Sequence, residues 1–149
     1  MKICIACSAG GHLTEVLQLA GAYRKYDHFF LTARRRDTED LAKKDRVVFL
    51  TDPGRNLLRL VKNAFQSLSV IRKERPDVIL STGAGLAIPA CYFAKMMGKK
   101  VIFIDSICRI ERPSLSGRLA YPIASLFLVQ WKGMMAKYGK KAQYWGSVI

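Results

Sequence analysis

Short apolar runs alternate along the chain with longer stretches in which apolar residues recur every three or four positions. The runs predict strands over Lys2–Cys7, His28–Thr32, Val47–Leu50, Val78–Leu80, Val101–Ile104 and Leu126–Val129. The longer stretches predict helices over Leu13–Tyr26, Thr38–Lys44, Arg55–Glu74, Leu86–Met97 and Leu115–Ile123. Strand and helix in strict alternation imply a parallel sheet covered on both faces, the doubly wound α/β class. No repeat, low-complexity segment or linker divides the chain, so residues 1–149 read as one domain.

Ligands of such sheets sit at the carboxyl ends of the strands, and the glycine-rich turns fall there. The first strand runs into Ser8-Ala9-Gly10-Gly11-His12, the fourth into Ser81-Thr82-Gly83-Ala84-Gly85, and the fifth into Asp105-Ser106-Ile107-Cys108-Arg109. Glycines there let backbone approach a ligand, and the amides of a helix start favour anions. The spacing is neither a dinucleotide fingerprint nor a phosphate-binding Walker loop. His12 has the side chain for proton transfer near neutral pH. A capping or hydrogen-bonded structural histidine is the other reading, and position alone does not separate them. Asp105 is likewise open between a base and a turn cap. Thr14 and Glu15, on the first helical turn, either cap it or face the site.

The chain carries 25 Lys+Arg against 11 Asp+Glu, a formal charge of +14, while half its residues are hydrophobic. That combination excludes a disordered basic tail. It calls for an anionic partner: nucleic acid, an acidic membrane or a phosphorylated ligand. The charge is unevenly placed. No acid lies between Asp52 and Glu74, and none follows Glu111. Within Arg55–Glu74, Leu57, Leu58, Val61, Ala64, Phe65, Leu68 and Ile71 form an apolar stripe, with Arg59, Lys62 and Asn63 on its flank and far side. An ordinary sheet-packing helix explains the stripe. The single-signed charge fits the surface of an anionic bilayer. Aromatics interleaved with cations after Glu111 suit core or partner packing better than single-stranded nucleic acid, whose recognised motifs are missing.

Cys4 and Cys7 form a C-x-x-C, but on a strand their side chains point to opposite faces. They read as small buried hydrophobes in a reducing compartment. The longest uncharged stretch, 78–94, is broken by Gly83, Gly85 and Pro89. No spanning segment or signal peptide is therefore expected, and the cytosol or the cytosolic face of a membrane is.

Asp105-Ser106-Ile107-Cys108-Arg109-Ile110 is followed by Leu115-Ser116-Gly117-Arg118-Leu119, Val129-Gln130-Trp131, Lys137-Tyr138 and Tyr144-Trp145-Gly146-Ser147-Val148-Ile149. With the two glycine turns, this series resembles the membrane-associated, acceptor-side subunit of the split N-acetylglucosaminyltransferase of dolichol-linked oligosaccharide synthesis. It is similar also to the prokaryotic capsule and exopolysaccharide counterparts. The resemblance spans essentially the whole chain. It implies a Rossmann-like fold equivalent to the N-terminal, acceptor lobe of a GT-B glycosyltransferase.

The resemblance further implies a second chain that binds the UDP-sugar, and a polyisoprenyl-diphosphate sugar acceptor held here. It implies an inverting transfer with His12 as first candidate base and Asp105 as second, and no cofactor or metal. Gly10, Gly11, Thr14, Glu15, Thr82, Gly83, Gly85, Ser106 and Arg109 are expected around the acceptor and its diphosphate. Eukaryotic members begin with a spanning anchor. Here attachment is expected to be peripheral, at the cytoplasmic face, through Arg55, Leu58, Arg59, Val61, Lys62 and Phe65. The tail, about 142–149, is expected to dock the partner through Trp145, Gly146, Val148 and Ile149. A non-catalytic anchor and activator is the alternative, and a basic nucleic-acid-binding domain a remote one.

Overall fold

The computed structural model describes residues 1–148; Ile149, expected in the docking tail, lies outside them. Seven parallel strands form one sheet in the order β3-β2-β1-β4-β5-β6-β7. They are β1 (Lys2–Cys7), β2 (Asp27–Ala33), β3 (Val47–Leu50), β4 (Val78–Gly83), β5 (Lys100–Ile104), β6 (Leu126–Val129) and β7 (Ala142–Tyr144). The helices are α1 (Gly11–Gln18), α2 (Ala20–Tyr23), α3 (Arg36–Leu41), α4 (Leu57–Glu74), α5 (Ile88–Met96), α6 (Leu115–Ala120) and α7 (Lys132–Tyr138). Strand order reverses between β1 and β4. The loops leaving these strands therefore splay apart and open a crevice above their carboxyl ends.

Alternation along β1 builds two core layers. Cys4 and Ala6 pack with Phe29, Leu31, Ile79 and the helical Ala90 and Ala94. Ile3, Ile5 and Cys7 pack on the other side with Phe30, Leu13, Val16 and Tyr23. The two cysteines thus lie on opposite faces, as expected, and burial pushes the Cys7 thiol up to about 12. A third cluster under α6 and α7 joins Phe103, stacked on Phe127 at 5.4 Å, to Ala120 and Met134.

Several boundaries differ from the sequence reading. The helix expected over Leu13–Tyr26 is two helices broken at Leu19, whose ψ of 12° leaves the helical range. The one expected to run to Ile123 stops at Ala120, two residues before Pro122, which has no N–H to continue it. The α7 helix and β7 strand were not expected. Only Met134 of α7 is buried, and β7 has three residues, so neither leaves a period to read. β7 pairs Phe127 with Ala142, Leu128 with Gln143 and Val129 with Tyr144, so the first part of the expected tail is the sheet's edge strand.

The largest difference is the rotation of α4. Its buried line is Asn63, Ser67 and Ile71. Asn63, expected away from the core, is fully buried; its Nδ2 donates to the Thr51 carbonyl at 2.9 Å, and its Oδ1 accepts from Ser67 Oγ at 3.3 Å. Leu57, Leu58, Val61 and Phe65 face outward, at 73, 80, 46 and 70% exposure. Among the described residues, no helix is long and apolar enough to cross a membrane.

Candidate functional site

The loops after β1, β4 and β5 meet the start of α6 around a cleft of about 340 Å³. Gly11, His12, Gly83, Asp105, Ser106 and Arg109 line it, together with Glu15, Cys108 and Ser116. Most of the expected polar residues are therefore brought together, but their roles separate sharply.

His12 sits on the first turn of α1. Its carbonyl accepts from Thr82 Oγ1 at 2.8 Å, which ties α1 to β4. The imidazole lies over Gly83, where an added Cβ would stand 3.0 Å from Cε1, and Gly83 has φ +116°. Glycine is needed there for both reasons. The buried His12 Nδ1 finds no hydrogen-bond partner among the described residues. A buried ring nitrogen without a partner calls for one from outside the chain.

Asp105 presents no free oxygen. It is 2% exposed; Oδ1 accepts from Ser114 Oγ and Oδ2 from the Tyr138 hydroxyl, both at 2.7 Å. Ser114 Oγ in turn caps α6 by accepting the Gly117 N–H at 2.8 Å. A Cβ on Gly117 would overlap the Tyr138 hydroxyl. Burial, and after it the bond to Asp105, pushes the Tyr138 phenol well above its ordinary range. The carboxylate therefore anchors α6 and α7 to the end of β5.

Glu15 is similarly committed. Its Oε1 accepts from Ser106 Oγ at 2.7 Å and the Ile107 N–H at 3.3 Å, and its Oε2 from Gln130 Nε2 at 3.2 Å. It holds the β5 loop from behind. Gly10, at φ +78°, lies outside the cleft, and its amide donates to Asp37 Oδ2 at 2.7 Å. Thr14 Oγ1 turns back to the Gly10 carbonyl at 3.3 Å. The Thr82 hydroxyl is spent on His12, and Gly85 lines a different cavity. Arg109 is exposed at the rim, and among the described residues no carboxylate pairs with it.

That second cavity is an apolar groove of about 540 Å³ between the start of α4, α5 and α6. Leu57, Leu60, Ile88, Pro89 and Leu119 line it, with Arg55 at its edge. Leu115 lines both cavities, so the polar cleft and the apolar groove lie side by side. Sequence reasoning missed Ser114, Gly117, Gln130 and Tyr138 as site-building residues. All but Ser114 stand inside the quoted motifs, yet only contacts across 9 to 115 positions assign them work.

The fold is one lobe of the GT-B glycosyltransferases and related epimerases. It matches the MurG structure from Acinetobacter baumannii at TM-score 0.79 and 13% identity, over 99% of this chain and 45% of that one. It matches the UDP-GlcNAc 2-epimerase of Methanocaldococcus jannaschii at TM-score 0.77 and 15% identity, over 99% of this chain and 46% of that one. The chain thus spans less than half the length of these structures, and the likeness is one of fold.

The family of Alg14-like oligosaccharide biosynthesis proteins matches residues 54–148, and the chain belongs to it. The human UDP-N-acetylglucosamine transferase subunit ALG14 is 29% identical over 182 aligned positions, covering 100% of this chain and 83% of that protein. Its counterpart in Debaryomyces hansenii is 30% identical, covering 89% of this chain and 55% of that one.

Proposed function

We propose that the chain is the acceptor-side subunit of a two-chain UDP-N-acetylglucosamine transferase in oligosaccharide or polysaccharide synthesis. The observation that carries this reading is the adjacency, at Leu115, of a polar cleft and an apolar groove. A sugar linked through diphosphate to a polyisoprenyl chain has that same succession of chemistries. The first sugar lies near His12, the diphosphate meets Arg109, whose planar guanidinium suits phosphate oxygens, and the first isoprene units enter the groove. The outward Leu58, Val61 and Phe65, flanked by Arg55, Arg59 and Lys62, seat this end of the molecule on the cytoplasmic face of an anionic membrane. Trp145, 70% exposed, with Gly146 and Val148 receives the donor-binding chain.

In the transfer, the acceptor hydroxyl oxygen bonds to the anomeric carbon as the carbon–oxygen bond to UDP breaks. UDP leaves with the electron pair and the hydroxyl proton passes to His12. Asp105, with both oxygens already accepting hydrogen bonds, positions the cleft and is not the base. The test is His12→Ala in the assembled complex, assayed with UDP-N-acetylglucosamine and a short polyprenyl-diphosphate sugar. A fall in turnover on the order of 10²-fold is expected. Unchanged turnover with intact assembly would favour the activator reading, in which the partner holds every catalytic group.

A further inference from the structure

The strongest unexplained feature outside the cleft wall is Gln130. It follows β6, is 3% exposed, and uses its amide in three directions. Nε2 donates to Glu15 Oε2 at 3.2 Å and to the Asp105 carbonyl at 3.0 Å. Oε1 accepts the Val148 N–H at 3.0 Å. The neighbours fix the amide's orientation, since a flip would set Nε2 against an N–H and Oε1 against two acceptors. Glutamine is the side chain that suits the place. A glutamate would face Glu15 with a second carboxylate, and a leucine would leave buried partners unpaired.

We infer that Gln130 is a positioning residue that couples the C-terminal segment to the acceptor cleft. The connection is short and made of directional bonds. Val148 holds Gln130, Gln130 holds Glu15, and Glu15 holds Ser106 Oγ and the Ile107 N–H. The next residue, Trp131, holds the following peptide, its Nε1 donating to the Ile107 carbonyl at 2.7 Å. The loop bearing Ser106 and Arg109 is therefore clamped by groups whose common anchor also holds the tail. Glu15 is three residues from His12 on the same helix. A chain that docks on the tail and reorients Val148 alters the hydrogen bonds that set the cleft, and by linkage an occupied cleft alters docking by the same factor. The inference rests on the two-chain reading only for what moves the tail.

The test needs no partner. In the full-length chain, Val148→Pro deletes the one N–H donor and leaves Gln130 in place. Amide hydrogen exchange followed by mass spectrometry would then be compared for the segment 105–110. Exchange about tenfold faster than wild type is expected, with β1 and β4 unchanged. Gln130→Leu should give at least the same acceleration, and the double variant no more than Gln130→Leu alone. Unaltered exchange at 105–110 in Val148→Pro overturns the coupling, as do effects that simply add. If Gln130→Leu does not fold, Val148→Pro alone decides. In the assembled two-chain enzyme, Gln130→Leu, which leaves the docking residues in place, should raise the acceptor KM several-fold and leave the UDP-sugar KM unchanged. An equal rise in both overturns the positioning role. Failure of the exchange test leaves the transferase reading standing, because that test measures neither activity nor partner.

Discussion

The Tyr138 hydroxyl donates to Asp105 Oδ2 at 2.7 Å across 33 positions of chain. That bond converts an apparent catalytic acid at a strand end into the fastening point of two helices. It also explains the nearby glycine. Tyr138 reaches Asp105 through the space that a side chain at position 117 would fill.

Tyr138→Phe should therefore cost stability without opening a cavity. It leaves Asp105 Oδ2 and the Ser114 N–H without their partner, a loss of about 1–3 kcal/mol by denaturant titration. The pH dependence has a definite sign. Burial raises the phenol above its ordinary value of 10.0, so the folded state holds the proton more tightly than the unfolded. Its contribution is whole below pH 10 and is lost as pH rises through the folded value. The alkaline fall in stability should be shallower in Tyr138→Phe; equal slopes would remove the residue from that limb.

Gly83→Ala combines two penalties. The backbone is at φ +116°, and the new Cβ meets the His12 ring at 3.0 Å. A loss of roughly 1–3 kcal/mol is expected, together with displacement of the imidazole. Turnover of the assembled enzyme should fall more than thermal stability alone predicts. Normal turnover in a folded variant would show that the ring's place over Gly83 is immaterial.

The rotation of α4 makes opposite predictions for neighbouring positions. Asn63→Leu puts a larger apolar side chain on the buried line and frees the Thr51 carbonyl and Ser67 hydroxyl, costing about 1–3 kcal/mol. Phe65→Ser, at 70% exposure, should change stability by no more than about 0.5 kcal/mol. It should instead weaken sedimentation with phosphatidylserine-containing vesicles, on the order of tenfold. Identical binding of wild type and Phe65→Ser would sink the membrane role of this face.

Glu74 closes the far end of the sheet. Hydrogen bonds from Arg46 and then Lys2 hold its carboxyl at about 2, below the ordinary 4.5. Arg46 Nη2 is 2.6 Å from Oε1, and Lys2 Nζ 2.9 Å from Oε2. A depressed carboxyl stabilises fully above pH 4.5 and loses that contribution as pH falls through about 2. Glu74→Gln should lose roughly 2 kcal/mol near neutrality and show a flatter acid limb between these values. An unchanged acid limb would place the acid sensitivity elsewhere.

The fold class was legible in the sequence because parallel strands buried on both faces leave unmistakable apolar runs. β1, β3 and β6 fall on their expected boundaries. The loops of the cleft were legible for a related reason: a doubly wound sheet puts every strand-end turn on one edge, and glycine marks where backbone must bend. The sequence alone thus determined six of the seven strands, the crevice and the presence of His12 and Arg109 in it. Periodicity could not give the rotation of α4. An apolar stripe looks the same whether it meets a sheet or faces outward, and only the bond from Asn63 to Thr51 decides. Nor could residue type divide the carboxylates from the histidine. Glu15 and Asp105 read as site acids until Gln130, Ser114 and Tyr138 arrive from distant elements to occupy them. Hydrogen-bond satisfaction depends on which groups the tertiary fold brings within 3 Å or so of each other, and sequence spacing carries no record of that.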